Sequence, residues 1–289
     1  MFAAFFIVLR EVLEAALIVG IVLAAARGVP RRGWWVSAGI AAGAVGSLVV
    51  AGFAEAIAMA LEGIGQEIFN ASVLLLACVM LGWHNVWMKS HGRELSAHMQ
   101  QVGAAVSQGV RPLSLLLVVV GLAVLREGSE IVLFMYGIAA AGADAAEMWV
   151  GSLVGLLIGG VIGALMYLGL LRIPTLHLFT VTGWILLLLA SGMAAQAAGY
   201  LVQGGVLPGL IEPLWDTSGV LSEGGLVGSV LHVLIGYDDQ PSAMQVIFYV
   251  VAFTAIGTLM RLVDVRQKRA RPAAAAHRRS PAISGVQRG

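Results

Sequence analysis

Two short charged strings interrupt two otherwise apolar runs, and they limit what this chain can become. Arg10-Glu11-Val12-Leu13-Glu14 lies inside the run from Phe2 to Ala26, and Arg126-Glu127-Gly128-Ser129-Glu130 inside the run from Leu113 to Ala141. Each run exceeds the roughly 20 apolar residues that a helix needs to cross a bilayer. A charge at mid-bilayer costs about 3 kcal/mol on insertion scales. A chain that twice places one Arg and two Glu there is using them, and the pattern points to a membrane transport protein with a carboxylate-lined cation site.

Composition agrees. Hydrophobic residues make up 59% of the 289 and charged residues 11%, whereas a soluble domain carries about 25% charged residues. The expected fold class is therefore an all-α integral membrane protein. Seven segments read as transmembrane helices, at approximately 2–26, 34–60, 67–88, 113–141, 148–171, 177–199 and 243–263. Gly39, Gly43 and Gly46, and then Gly155, Gly159 and Gly163, recur at close helical spacing. Small residues so spaced let helix backbones approach closely in lipid. Cys78 is the one cysteine, which excludes an internal disulfide and a Cys-based metal site. The first run lacks a basic leader and is too long for a cleaved signal, so it reads as a retained helix.

Charge is segregated. Of 17 Lys and Arg, the 15 outside the motifs fall on alternate connections or in the tail: Arg27, Arg31 and Arg32, then Lys89, Arg93 and Arg111, then Arg172, then eight from Arg261 onward. The positive-inside rule makes these connections cytoplasmic, with the N-terminus outside and the C-terminus inside. Ten of the 16 acids fall on the outer side, where they focus cations from solution. Glu55, Glu62, Glu67 and Asp216 are the candidates for an outer-mouth metal relay. The expected organisation is a membrane domain over 1–263, with a repeat at about 1–88, a second at about 113–199, an outer loop at 200–242 and helix seven at 243–263. Within the loop, Val220 to Ile235 is apolar enough for a short interfacial or re-entrant helix. Residues 264–289 read as a basic, disordered cytoplasmic tail.

The motif helices are the first and the fourth, so they cross in opposite directions, and helices 1–3 and 4–6 form an inverted repeat plus a seventh helix. Transporters built this way bind substrate near the midplane, at the interface between repeats. Glu11 and Glu14 share a helix face, as do Glu127 and Glu130. Four carboxylates meeting there make a hard oxygen site, suited to Mg, Ca, Mn and ferric iron rather than to thiolate-seeking metals. Arg10 and Arg126, each four residues before a Glu, supply supporting ion pairs that lower the cost of burying the acids. His84, between Trp83 and Trp87, reads as part of an interfacial aromatic belt near the inner end of helix three. His177 and His232 read as non-ligands.

At the two strings the chain resembles the oxidase-dependent iron transporter family, the bacterial EfeU-type and fungal high-affinity iron permeases, whose hallmark is Arg-Glu-Gly-Leu-Glu in the first and fourth helices. Every charged position matches, with Val12 in place of the usual Gly and Ser129 in place of the usual Leu. Gln66-Glu67-Ile68-Phe69, Asp216-Thr217-Ser218 and Gly236-Tyr237 resemble further segments of the family, although Asn70 stands where a second Glu is common. The resemblance implies a multi-pass permease of the inner (plasma) membrane. It carries iron (Fe3+ or Fe2+) as transported substrate and no permanently bound cofactor. The implied partner is a periplasmic iron-oxidising or iron-delivering protein. Contact with nucleic acid is not expected, and a homo-oligomer stays open. Two alternatives are a permease for another metal cation, such as manganese or lead, and an intramembrane metal oxidoreductase. Bundle di-iron sites use Glu-x-x-His, and Glu14 and Glu130 stand where those His would be.

Overall fold

The computed structural model describes residues 1–60, 65–169, 175–222 and 225–279. Every regular element among them is helical: α1 Phe2–Ala25, α2 Arg32–Ala60, α3 Gln66–Ser107, α4 Ser114–Ala140, α5 Ala145–Tyr167, α6 Thr175–Gln203, α7 Leu226–Ile235 and α8 Ala243–Arg279. Five helices are long and apolar enough to cross a membrane, over Arg32–Met59, Gln66–Gly92, Ala145–Tyr167, Phe179–Gln203 and Ala243–Arg266. The motif helices α1 and α4, of 24 and 27 residues, match them in length and differ in carrying the charged strings.

Two glycine ridges fix how the motif helices are backed. A Cβ on Gly43 of α2 would stand 2.6 Å from the Gly121 carbonyl oxygen of α4 and 2.9 Å from the Leu125 amide. A Cβ on Gly155 of α5 would stand 2.7 Å from the Phe5 carbonyl oxygen of α1. Only glycine permits such backbone approach, so both ridges serve packing, as their spacing suggested. The arrangement is reciprocal, with α2 laid on α4 and α5 laid on α1. The middle positions of the motifs fit the same logic. Val12 fills the space opposite Gly159, whose Cβ would come 2.9 Å from Val12 Cγ1, while Gly128 makes room for Ser47 of α2. Helices α3 and α6 pack on each other, and α8 lies along α6.

Two boundaries differ from those read in the sequence. Helix α3 does not stop near residue 88 but continues to Ser107, 42 residues in all. Hydropathy falls at Lys89, yet Met99 and Val106 stay buried against Ile18, Val22, Val36 and Leu116, so packing on the ends of α1, α2 and α4 carries the helix on. Helix α8 runs past the expected end of helix seven at residue 263, to Arg279.

Helix α7 lies in the loop after α6 and folds back along α6. A Cβ on Gly192 of α6 would lie 2.8 Å from Gly236 Cα at the end of α7. Gly192 precedes the end of α6 by about 16 Å at 1.5 Å per residue, so α7 dips that far into the bundle. Gly236 closes α7 with φ of 67°, a left-handed conformation that favours glycine. The hairpin is fastened by Tyr237, whose hydroxyl donates to the Leu221 carbonyl at 2.8 Å and meets the Thr217 hydroxyl at 2.6 Å. The two late loop segments, around Thr217 and Tyr237, therefore act as one unit.

Candidate metal centre

Both charged strings fall near the middle of their helices, Glu11 about 15 Å along an α1 of about 36 Å. Both turn inward. Arg10, Glu11, Glu14 and Glu127 are each 2% exposed or less. Arg10 Nη2 reaches Glu14 Oε1 at 3.0 Å and Nη1 reaches Glu11 Oε1 at 3.6 Å. In the second string, Arg126 Nε donates to Glu130 Oε1 at 3.1 Å and stands 4.0 Å from Glu127 Oε1. Each Arg thus pairs with its own carboxylates.

The two strings are not equivalent. The Arg10 side chain is 3% exposed and the Arg126 side chain 36%; Glu14 is 1% exposed and Glu130 15%. Arg126 lies over the Trp87 ring, 4.3 Å from its centroid. Glu130, Arg126 and His84 line a cleft of about 510 Å³ between α3 and α4, walled by Val79, Met80, Trp83 and Trp87. The site is enclosed on the first-motif side and reaches this cleft on the second.

His84 overturns the aromatic-belt reading. It is the nineteenth residue of a 42-residue helix, not near its end, and is 4% exposed. Its Nε2 faces Glu11 Oε2 at 3.6 Å and Glu14 Oε2 at 3.5 Å, and its Nδ1 contacts Glu130 Oε2. Trp83, one residue earlier, points out of the bundle and is 72% exposed. His84 turns toward the acids while Trp83 turns outward.

Among the described residues, one group of acids and histidines offers ligand atoms all within 4.8 Å of one another: Glu11, His84, Glu127 and Glu130. Glu14 stands beside the group, drawn to Arg10. Both carboxylate oxygens of Glu11 and of Glu127, Oε2 of Glu130 and both ring nitrogens of His84 are buried without a hydrogen bond of good geometry. Buried polar atoms are almost always satisfied; here the carboxylates rely on ion-pair contacts with Arg10, Arg126 and His84, and a gap lined this way suits a bound cation.

The outer-mouth candidates are dispersed. Glu55 on α2 and Glu67 in the first turn of α3 are exposed, and Glu62 lies outside the described residues. Asp216 is exposed in the loop before α7; the Ser218 hydroxyl and amide hold its carboxyl below the usual carboxylate range. The His177 side chain lies outside the described residues. His232 bonds the Gln196 side chain at 2.9 Å and the Tyr237 carbonyl at 2.8 Å.

A multi-pass helical bundle that buries carboxylates from two motif helices around one gap is the build of a cation permease. Residues 1–266 match the model of the iron permease FTR1 family, and the chain belongs to that family. It is a multi-pass membrane permease and not an enzyme, and iron is the family's transported substrate. It is 32% identical over 253 residues to the ferrous iron permease EfeU of Escherichia coli O6:K15:H31 (strain 536 / UPEC), covering 85% of this chain and 90% of that protein. The match to the ferrous iron permease EfeU of Shigella sonnei (strain Ss046) has the same identity and coverage. Against that of Shigella flexneri the identity is 32% over 184 residues, 63% of this chain and 77% of the relative. No solved structure matches the chain at a significant level.

Proposed function

We propose that this protein takes up iron across the inner membrane through the gap between its two motifs, with Glu11, Glu127 and Glu130 as carboxylate ligands. Arg10 and Arg126 orient and balance these acids, and Glu14, paired to Arg10, fixes the Arg10 guanidinium against the site. The observation that carries the reading is the convergence of buried carboxylates from α1 and α4 within 4.8 Å. The reciprocal packing of α2 on α4 and α5 on α1 supports an inverted repeat of α1–α3 and α4–α6. With α8 as the seventh span, the positive-inside charges place the N-terminus outside and the C-terminus in the cytoplasm. Iron arrives from a separate outer protein that oxidises or delivers it, and the exposed Glu55, Glu67 and Asp216, with Glu62, draw it toward the mouth.

The test is radiolabelled iron uptake in iron-transport-deficient cells expressing the full chain, with or without a co-expressed oxidase partner. Glu11→Gln and Glu127→Gln are compared with wild type at equal membrane expression. Uptake falls to background in both variants. Wild-type rates in both would overturn the carboxylate site.

A further inference from the structure

We infer that His84 is a ligand of the transported ion and that it biases the site toward iron over harder divalent cations. This rests on the carboxylate site proposed above and adds a nitrogen donor from a third helix that neither motif contains.

The imidazole stands between the two motifs. Nε2 faces the first, with Glu11 and Glu14 oxygens at 3.6 and 3.5 Å, and Nδ1 faces Glu130 of the second. A structural core histidine is commonly satisfied by one carbonyl, hydroxyl or carboxylate, whereas this ring faces carboxylates of both motifs. This one is 4% exposed, and neither nitrogen makes a hydrogen bond of good geometry. Phe134 meets the ring edge-on, centroid to centroid 6.4 Å, and holds its plane. An ion bound through either nitrogen leaves the other turned to a carboxylate that accepts its N–H. Such a partner fixes tautomer and orientation at metal-binding histidines. Position on the bundle agrees: α6, which packs on α3, carries no charged residue or histidine from Phe179 to Gln203. His84 is thus a one-sided addition to an otherwise paired set of acids.

The donor type has a consequence for selectivity. Carboxylates alone suit Mg2+, Ca2+ and Mn2+, whereas imidazole suits iron, and binding strength rises from Mn2+ to Fe2+. Exchanging one oxygen donor for a ring nitrogen widens the gap between Fe2+ and the hard ions and leaves the carboxylate count unchanged.

The experiment uses the full chain purified into lipid nanodiscs and loaded with Mn2+ as paramagnetic probe. Pulsed electron paramagnetic resonance reads nitrogen-14 coupling from a bound imidazole. Wild type shows this coupling, and His84→Gln retains bound Mn2+ but loses it. In cells, His84→Glu cuts the preference for Fe2+ over competing Mn2+ by at least about tenfold, within the range by which ligand-shell changes alter metal affinity. Mn2+ bound in wild type without nitrogen coupling, and displaced in Glu127→Gln, would overturn the role of His84 while leaving the carboxylate site standing. Absence of any Mn2+ dependent on Glu127 would overturn both. A His84→Glu preference equal to wild type would overturn the selectivity claim.

Discussion

Replacing Arg10 by Met should damage this protein far more than replacing Arg126 by Met, although the sequence presents the two as equivalent. Arg10 stands 3.0 Å from a Glu14 oxygen and 3.6 Å from a Glu11 oxygen, with all three side chains almost fully buried. At an effective dielectric of about 20, each contact is worth about 5 kcal/mol of Coulomb attraction. Desolvation cancels much of that, so the decisive quantity is the cost of leaving buried carboxylates uncompensated, about 3–5 kcal/mol. Arg126 is 36% exposed at the cleft and its main carboxylate partner, Glu130, is 15% exposed. Arg126 therefore holds its acids less closely, with Glu127 at 4.0 Å, and the Trp87 contact contributes about 0.5–1 kcal/mol. Thermal unfolding of purified variants in detergent reads the difference. Arg10→Met lowers the midpoint by on the order of 10 °C and Arg126→Met by only a few degrees. Arg10→Met combined with Glu14→Gln recovers part of the loss, because one orphaned charge goes with it. Equal losses in the two single variants, or a double variant no better than Arg10→Met, would refute the burial argument.

Two further predictions concern packing. Gly159→Val drives a branched side chain into Val12, where even a Cβ would sit 2.9 Å from Val12 Cγ1; overpacking costs about 1–3 kcal/mol. Val12→Gly in the same chain should relieve it, restoring both the melting midpoint and iron uptake. Gly236→Ala places a side chain at φ of 67°, which costs about 1–2 kcal/mol, and presses on Gly192. Its signature is faster proteolysis of the loop between α6 and α7 with the melting of the remaining bundle little changed; unaltered cleavage would count against α7 as a helix closely seated on α6.

The charged strings were legible because a charge inside an apolar run has few inexpensive explanations, and the glycine ridges because helix contact in lipid demands small residues at that spacing. Helix α7 was legible as an apolar stretch too short to span. His84 was misread because hydropathy drops at Lys89, which made the helix seem to end there. A signal for it was nonetheless present: Ala71, Leu74, Cys78, Leu81 and Asn85 repeat at spacings of three and four and are all buried. His84 lies on that stripe, three residues past Leu81, whereas Trp83 lies off it. The inequivalence of Arg10 and Arg126 has no counterpart in the sequence, since it arises from which neighbouring helix covers each string.

That inequivalence bears on how an ion reaches the site. On the side of α7, a cavity of about 270 Å³ is lined by Ala3, Ile138, Gly192, Met193, Gln196 and His232. Ala3, Ile7 and Glu11 follow one another at four-residue spacing along α1, so Ile7 lies one turn from the carboxylates and Ala3 two. On α4, Glu130, Phe134 and Ile138 make the same progression. Ile7 and Phe134 are fully buried and Met193 is 4% exposed, and together these apolar side chains stand between the cavity and the acids. A hydrated cation does not pass such a plug without moving it. Among the described residues, Glu130 opens on the cleft between α3 and α4. If the site carries iron as proposed, passage to the α7 side requires the apolar layer of Ile7, Phe134 and Met193 to part.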